Sequence, residues 1–151
     1  MHLSRRRLLQ LSAGGSLATA LKVAPAGAAV RAEKTQAAID AFTDGATLSE
    51  GRVNLITPEI AENGNTVPIE FSVDSAMSDD DYVAEVMVLA DGNPNPGVAT
   101  FKFKPINGSA SAKTRIRLAK TQDVLALAKM SDGSVHLASR NVKVTIGGCG
   151  G

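Results

Sequence analysis

Val67-Pro68-Ile69-Glu70-Phe71-Ser72-Val73 carries an apolar side chain at every second position. Successive side chains of a strand point to opposite faces, so this spacing predicts a strand with one face in a core and the other toward water. The same period recurs further along the chain. Val98, Phe101 and Phe103 mark a strand after the turn signal Asn93-Pro94-Asn95-Pro96-Gly97. Ala112, Thr114, Ile116 and Leu118 alternate with Lys113, Arg115 and Arg117. Residues 123–130 and 135–146 read as a hairpin closed by Ser131-Asp132-Gly133-Ser134. About seven short strands with regular turns predict an all-β protein, an immunoglobulin-like antiparallel β-sandwich. A short helix over 33–44 precedes them, with Ala38, Ala41 and Phe42 on one stripe and Gly45 as its stop.

Two predicted strands are apolar on both faces: Tyr82 to Ala90 and Val124 to Ala128. A small antiparallel sandwich exposes one face of each sheet, so something must cover the outer face here. The N-terminal helix or a loop is one cover; a partner subunit is the preferred one.

The front of the chain is of another kind. Ser4-Arg5-Arg6-Arg7-Leu8-Leu9-Gln10 has the form of a twin-arginine export signal, with Arg5 and Arg6 as its pair. An apolar run from Leu8 to Leu21 follows, then small-residue cleavage sites in Ala24-Pro25-Ala26-Gly27-Ala28. The run is too short and too rich in Gly and Ser to make a good membrane span. The expected organisation is a signal peptide over 1–28, a sandwich with its N-terminal helix over 29–146, and a glycine arm over 147–151. The twin-arginine signal directs the chain to the periplasm, with no membrane attachment after cleavage.

Cleavage after Ala28 removes Arg5, Arg6, Arg7 and Lys22 from the chain's 16 basic residues and none of its 15 acidic ones, leaving a net charge of −3. That balance argues against nucleic-acid binding. So does the aromatic content of four Phe, one Tyr and no Trp, which gives no platform for stacking bases or sugars. After cleavage His136 is the only histidine, and Cys149 is the only cysteine of the chain. One His and one Cys are too few for a structural zinc site, so no metal and no cofactor are expected. Asp79-Asp80-Asp81 lacks the spacing of a calcium loop and reads as a solvated entry to the next strand. Lys113, Arg115 and Arg117, extended by Lys102 and Lys104, form a basic stripe. It reads first as a solubilising and edge-protecting face, and second as a docking surface for acidic partners.

Gly147-Gly148-Cys149-Gly150-Gly151 carries the chemical signal. A periplasmic protein ordinarily pairs its cysteines, so a single thiol implies an intermolecular bond or a working group. Glycine is the most pliable backbone available, and nothing in this tail has a side chain to pack. The tail supplies neither positive charge nor a helix dipole, so Cys149 is not a self-activated nucleophile. It suits a covalent carrier rather than an enzyme, its chemistry supplied by each catalytic site it visits. From Ile146 the arm spans at most roughly 10 Å to Cys149, so the body must dock closely.

These residues resemble the SoxY family, sulfur-carrier subunits of the Sox thiosulfate-oxidising system. The resemblance runs through Pro58-Glu59-Ile60-Ala61-Glu62-Asn63-Gly64, Asn93-Pro94-Asn95-Pro96, Thr114-Arg115-Ile116-Arg117-Leu118, Thr121-Gln122-Asp123-Val124, Ser131-Asp132-Gly133 and the terminal Gly147-Gly148-Cys149-Gly150-Gly151. It implies a heterodimer with a SoxZ-like subunit. It implies that a haem-containing enzyme conjugates thiosulfate to Cys149, that a hydrolase releases sulfate, and that a sulfane dehydrogenase oxidises the sulfur left on the arm. Two alternatives remain open. Gly150-Gly151 could end a ubiquitin-like sulfur carrier, although the export signal and the all-strand pattern oppose it. Cys149 could instead join two copies of a structural module through a disulfide.

Overall fold

The structure, a computed structural model, describes residues 31–148. One helix, α1 (Glu33–Thr43), leads into nine strands: β1 (Leu48–Ser49), β2 (Val53–Ile56), β3 (Ile60–Asn63), β4 (Val67–Val73), β5 (Val83–Ala90), β6 (Gly97–Lys102), β7 (Ala110–Ile116), β8 (Gln122–Met130) and β9 (Val135–Ile146). They form two sheets, one ordered β1-β9-β8-β5-β6 with β3 also on β9, the other β2-β4-β7. The fold is the all-β sandwich expected.

β4 follows its alternation faithfully: Val67, Ile69, Phe71 and Val73 are buried and the residues between are not. β4 pairs antiparallel with β2 on one side and β7 on the other, Phe71 lying opposite both Leu55 and Ala112. Phe71 packs edge-on against Phe101 and Phe103 at centroid distances of 5.1 and 6.4 Å, which ties the three-stranded sheet to the chain at and just beyond β6. The remaining core between the sheets is aliphatic, from Val86 and Val88 of β5 and from Val124, Ala126 and Ala128 of β8.

Two features differ from the sequence reading. β1 and β3 show no period in the sequence, and both run parallel to β9, Leu48 pairing with Val135 and Ala61 with Val144. The chain leaves the large sheet after β1, crosses to the other sheet as β2, and returns as β3. The second difference concerns the cover on β5 and β8. Leu89, Leu125 and Leu127 point away from the inter-sheet core, and α1 covers them with Ile39 and Phe42. The outer face is therefore buried within the chain itself, and its apolar residues are no sign of a partner. The stripe of α1 that does this is Thr35, Ile39 and Phe42, at i, i+4 and i+7; Ala41 faces solvent instead.

The end of the sandwich that holds the β8–β9 turn is braced by charge. Arg52 donates from its guanidinium to Asp81 at 2.8 Å. That bond, reinforced by the Ala76 N–H, holds the Asp81 carboxyl below the usual carboxylate range. Asp132 is lowered too, by the Ser134 hydroxyl and backbone N–H that donate to it. In the Asp79-Asp80-Asp81 segment Asp81 is thus pinned, while Asp79 and Asp80 are exposed at the entry to β5 as expected.

Candidate functional site

The opposite end of the sandwich is where β9 runs out and the glycine arm begins. Three stretches of backbone meet there. Gly64, just past β3, donates its N–H to the carbonyl of Ile146 at 2.7 Å. Leu118, just past β7, donates to the carbonyl of Gly64 at 2.8 Å. Gly148 then donates to the carbonyl of Leu118 at 2.9 Å. The three bonds link the arm to both sheets.

Such close approach leaves no room for side chains. A Cβ on Gly64 would collide with the Leu118 carbonyl oxygen and stand 2.7 Å from the Gly148 nitrogen. One on Gly147 would strike the Ala119 carbonyl oxygen, and one on Gly148 would stand 2.8 Å from the Gly64 oxygen. None of the three has a left-handed φ, so glycine serves here for contact rather than for conformational range. This corrects the reading of Gly147 and Gly148 as arm residues with nothing to pack against. Gly148 is buried. Cys149, Gly150 and Gly151 lie outside the described residues, as do Arg5 and Arg6 of the export signal.

The Leu118–Lys120 segment that grips the arm is itself held from behind. Asn93, 9 % exposed, donates through Nδ2 to the Arg117 carbonyl at 2.9 Å and accepts from the Ala119 N–H at 2.9 Å. Gln122 donates Nε2 to the same Asn93 oxygen and receives the Gly92 N–H on its own Oε1 at 2.7 Å. Thr121 fastens the end of β9, its hydroxyl oxygen accepting from the Val144 N–H at 2.9 Å. The sequence marked Asn93 only as a turn residue. Its buried amide shows a positioning role that the Asn-Pro repeat at 93–96 does not disclose, since its side-chain partner Gln122 lies 29 residues further on.

His136 pairs with Ala128 near the other end of β9. Ten residues of strand separate it from Ile146, roughly 33 Å. From a fixed Gly148 the Cys149 sulfur lies within roughly 7 Å of the Gly148 Cα, so it cannot meet His136 as a Cys–His pair. Among the described residues no three His, Cys, Asp or Glu side chains gather where they could hold a metal ion.

The SoxY family profile, "Sulfur oxidation protein SoxY", matches residues 39–149. The chain belongs to the SoxY family. In the solved structure of the sulfur carrier protein SoxY from Chlorobium limicola f. thiosulfatophilum, 29 % of residues are identical, with a TM-score of 0.64 over 75 % of this chain and 97 % of that one. A superoxide reductase (neelaredoxin) from Ignicoccus hospitalis shares the fold at a TM-score of 0.56, with 16 % identity over 62 % of this chain and 80 % of that one. No curated protein matches the chain in sequence. The SoxY match ends on Cys149, and four of the segments that carry the SoxY resemblance converge on the arm. Pro58 to Gly64 supplies the clamp glycine and Thr114 to Leu118 the gripping carbonyl. Asn93 and Thr121-Gln122 secure that carbonyl and the end of β9. Only Ser131-Asp132-Gly133 lies away from it, in the turn at the other end.

Proposed function

We propose that this SoxY-family chain is a covalent sulfur carrier of the periplasm, exported by its twin-arginine signal, that holds thiosulfate-derived intermediates on Cys149. The observation that carries the reading is the convergence just described: four separate segments are spent on fixing the backbone one residue ahead of a single thiol. A structural tail has no use for such an anchorage. A thiol that must be presented to several enzymes in one geometry does.

The chemistry follows from the cargo. A haem-containing partner joins the Cys149 sulfur to the sulfane sulfur of thiosulfate, and two electrons leave through the haem. A hydrolase adds water across the terminal bond, sulfate departs, and a persulfide stays on Cys149. A sulfane dehydrogenase then oxidises that remaining sulfur. The chain contributes the attachment atom and its placement, while the partners contribute the catalysis. A SoxZ-like subunit completes a heterodimer; the support for it is the family, since the apolar face of β5 and β8 is already covered by α1.

Mass spectrometry of the protein after incubation with thiosulfate and the haem-containing enzyme tests the reading. Added sulfur on the peptide containing Cys149 is the expected result. Sulfur on the Gly151 carboxylate would instead identify a diglycine carrier, and a disulfide alone would identify a dimerising module.

A further inference from the structure

We propose that Arg115, Arg117 and Lys120 form a docking surface for the enzyme that loads Cys149, and that it engages an acidic rim around that enzyme's channel. The proposal rests on the carrier reading and adds the surface through which the carrier is recognised.

Geometry gives the first reason. With Gly148 bonded to Leu118, the thiol stays within roughly 7 Å of the Gly148 Cα. Any catalytic centre that reaches the sulfur must therefore bring its own surface down onto the residues around Leu118. Arg117 and Lys120 flank the Leu118–Ala119 pair that touches the arm, and all three cations are exposed. Arg115 sits two residues back on the same outward face of β7, roughly 7 Å along the strand. It also lines a groove with Ile56, Pro58 and Pro68, where the Glu70–Lys113 pair is the other charged part of the lining and the apolar residues offer contact beside Arg115.

Charge gives the second reason. Lys113, the next cation down the strand, is bound to Glu70 at 3.0 Å. Arg115, Arg117 and Lys120 carry no ion-pair partner among the described residues. Among the described residues within three positions of Gly64, Leu118, Ile146 or Gly148, Glu62 is the one acidic side chain, against the cations Arg115, Arg117, Lys120 and Lys143. A local excess of positive charge at the mouth of the arm, on a chain whose charge after cleavage is −3, selects an acidic counter-surface and speeds encounter with it.

The test compares steady-state loading of Cys149 for the mature chain with its SoxZ-like subunit, for the Arg115→Gln/Arg117→Gln/Lys120→Gln variant, and for a Lys102→Gln/Lys104→Gln control. Iodoacetamide alkylation of Cys149 measures thiol access without an enzyme. The triple variant should show KM raised about tenfold or more at low salt with kcat unchanged. Its alkylation rate should equal that of wild type, and the control should behave as wild type throughout. Wild-type KM should rise with salt toward that of the triple variant. Equal KM for wild type and triple variant, or a wild-type KM indifferent to salt, would overturn the docking surface while leaving the carrier reading intact. So would dissociation of the heterodimer by the triple variant, since the cations would then belong to the subunit interface. A wild-type chain that is never loaded would remove the carrier reading, and the proposal with it.

Discussion

Gly148 donates its backbone N–H to the carbonyl of Leu118 at 2.9 Å, one residue ahead of Cys149. This bond shortens the working arm. Read as a free tail, the arm would begin at Ile146; anchored at Gly148, it begins at Cys149. Gly148 thus belongs to the body of the sandwich, and the chain is tethered to both sheets up to that residue. Delivery then depends on how closely an enzyme can approach the Gly148 end of the sandwich.

Gly64→Ala is expected to loosen the arm although residue 64 lies in a different part of the sequence. The new methyl meets backbone on two sides, the Leu118 oxygen and the Gly148 nitrogen, and backbone cannot swing aside as a long side chain can. Overpacking of this kind costs about 1–3 kcal/mol. Urea denaturation should show the loss, and protease should cut the C-terminal segment faster. Gly147→Val/Gly148→Val should destabilise for the same reason. An unchanged denaturation midpoint in both variants would mean that the close approach does not persist in solution.

Asn93→Ala removes one amide and strands two partners, the Arg117 carbonyl and the Ala119 N–H, while Gln122 keeps its bonds to Lys120 and Gly92. Leaving buried polar groups unpaired costs about 1–3 kcal/mol. Because Leu118 lies between the two stranded partners, loading of Cys149 should slow as well. A variant that loses stability yet loads at the wild-type rate would confine Asn93 to a structural role.

The two ends of this molecule differ in how far the sequence discloses them. Val67 to Val73 is legible because burial on one face imposes period two on seven residues, and nothing else produces that pattern. β1 and β3 are hidden because two and four residues are too few to show a period, and their partners in β9 lie more than eighty residues away. The cover on Leu89 and Leu125 is ambiguous in principle: an apolar face asks for a cover, and helix and partner answer equally well until the chain is folded. Glycine is ambiguous in another way. At Gly147 and Gly148 it could mean freedom or contact, and only the position of Gly64 and Leu118 decides. Cys149, to which the proposed function assigns the cargo, is conspicuous in the sequence because it is the sole thiol.

Ile39→Ala should uncover part of the outer face. Ile39 is 1 % exposed against Leu89, Leu125 and Leu127, and truncating a buried Ile costs about 2–5 kcal/mol. The variant should bind a hydrophobic dye and self-associate at concentrations where wild type does neither. If wild type associates to the same extent, α1 does not seal that face in solution.

The Arg52–Asp81 pair gives a pH dependence with a definite sign. Asp81 titrates below its ordinary range in the folded chain, so folding favours its charged form. The stabilisation is complete above the usual carboxylate range and is lost as pH falls through the lowered value. Melting temperatures recorded downward from neutral pH should therefore fall in acid, and Asp81→Asn should flatten part of that fall. Both groups are well exposed, so salt should weaken the effect. Identical acid slopes for wild type and variant would rule the pair out as a contributor.

Cys149→Ser separates the thiol from the structure around it. The clamp uses only backbone atoms of Gly64, Leu118, Ile146 and Gly148, so none of its bonds depends on the Cys149 side chain. Serine is close in size and keeps a polar head, yet its oxygen cannot form the sulfur–sulfur bond that the carrier reading requires. The variant should therefore melt with wild type, bind the loading enzyme with the same KM-determining affinity, and compete with wild-type protein for it. It should gain no mass from thiosulfate, and thiosulfate-dependent electron transfer in a reconstituted system should drop to background. Competition without turnover is the informative outcome, because it shows that recognition resides in the body and chemistry in one atom. Electron transfer near the wild-type rate with serine at position 149 would mean that the cargo is attached elsewhere.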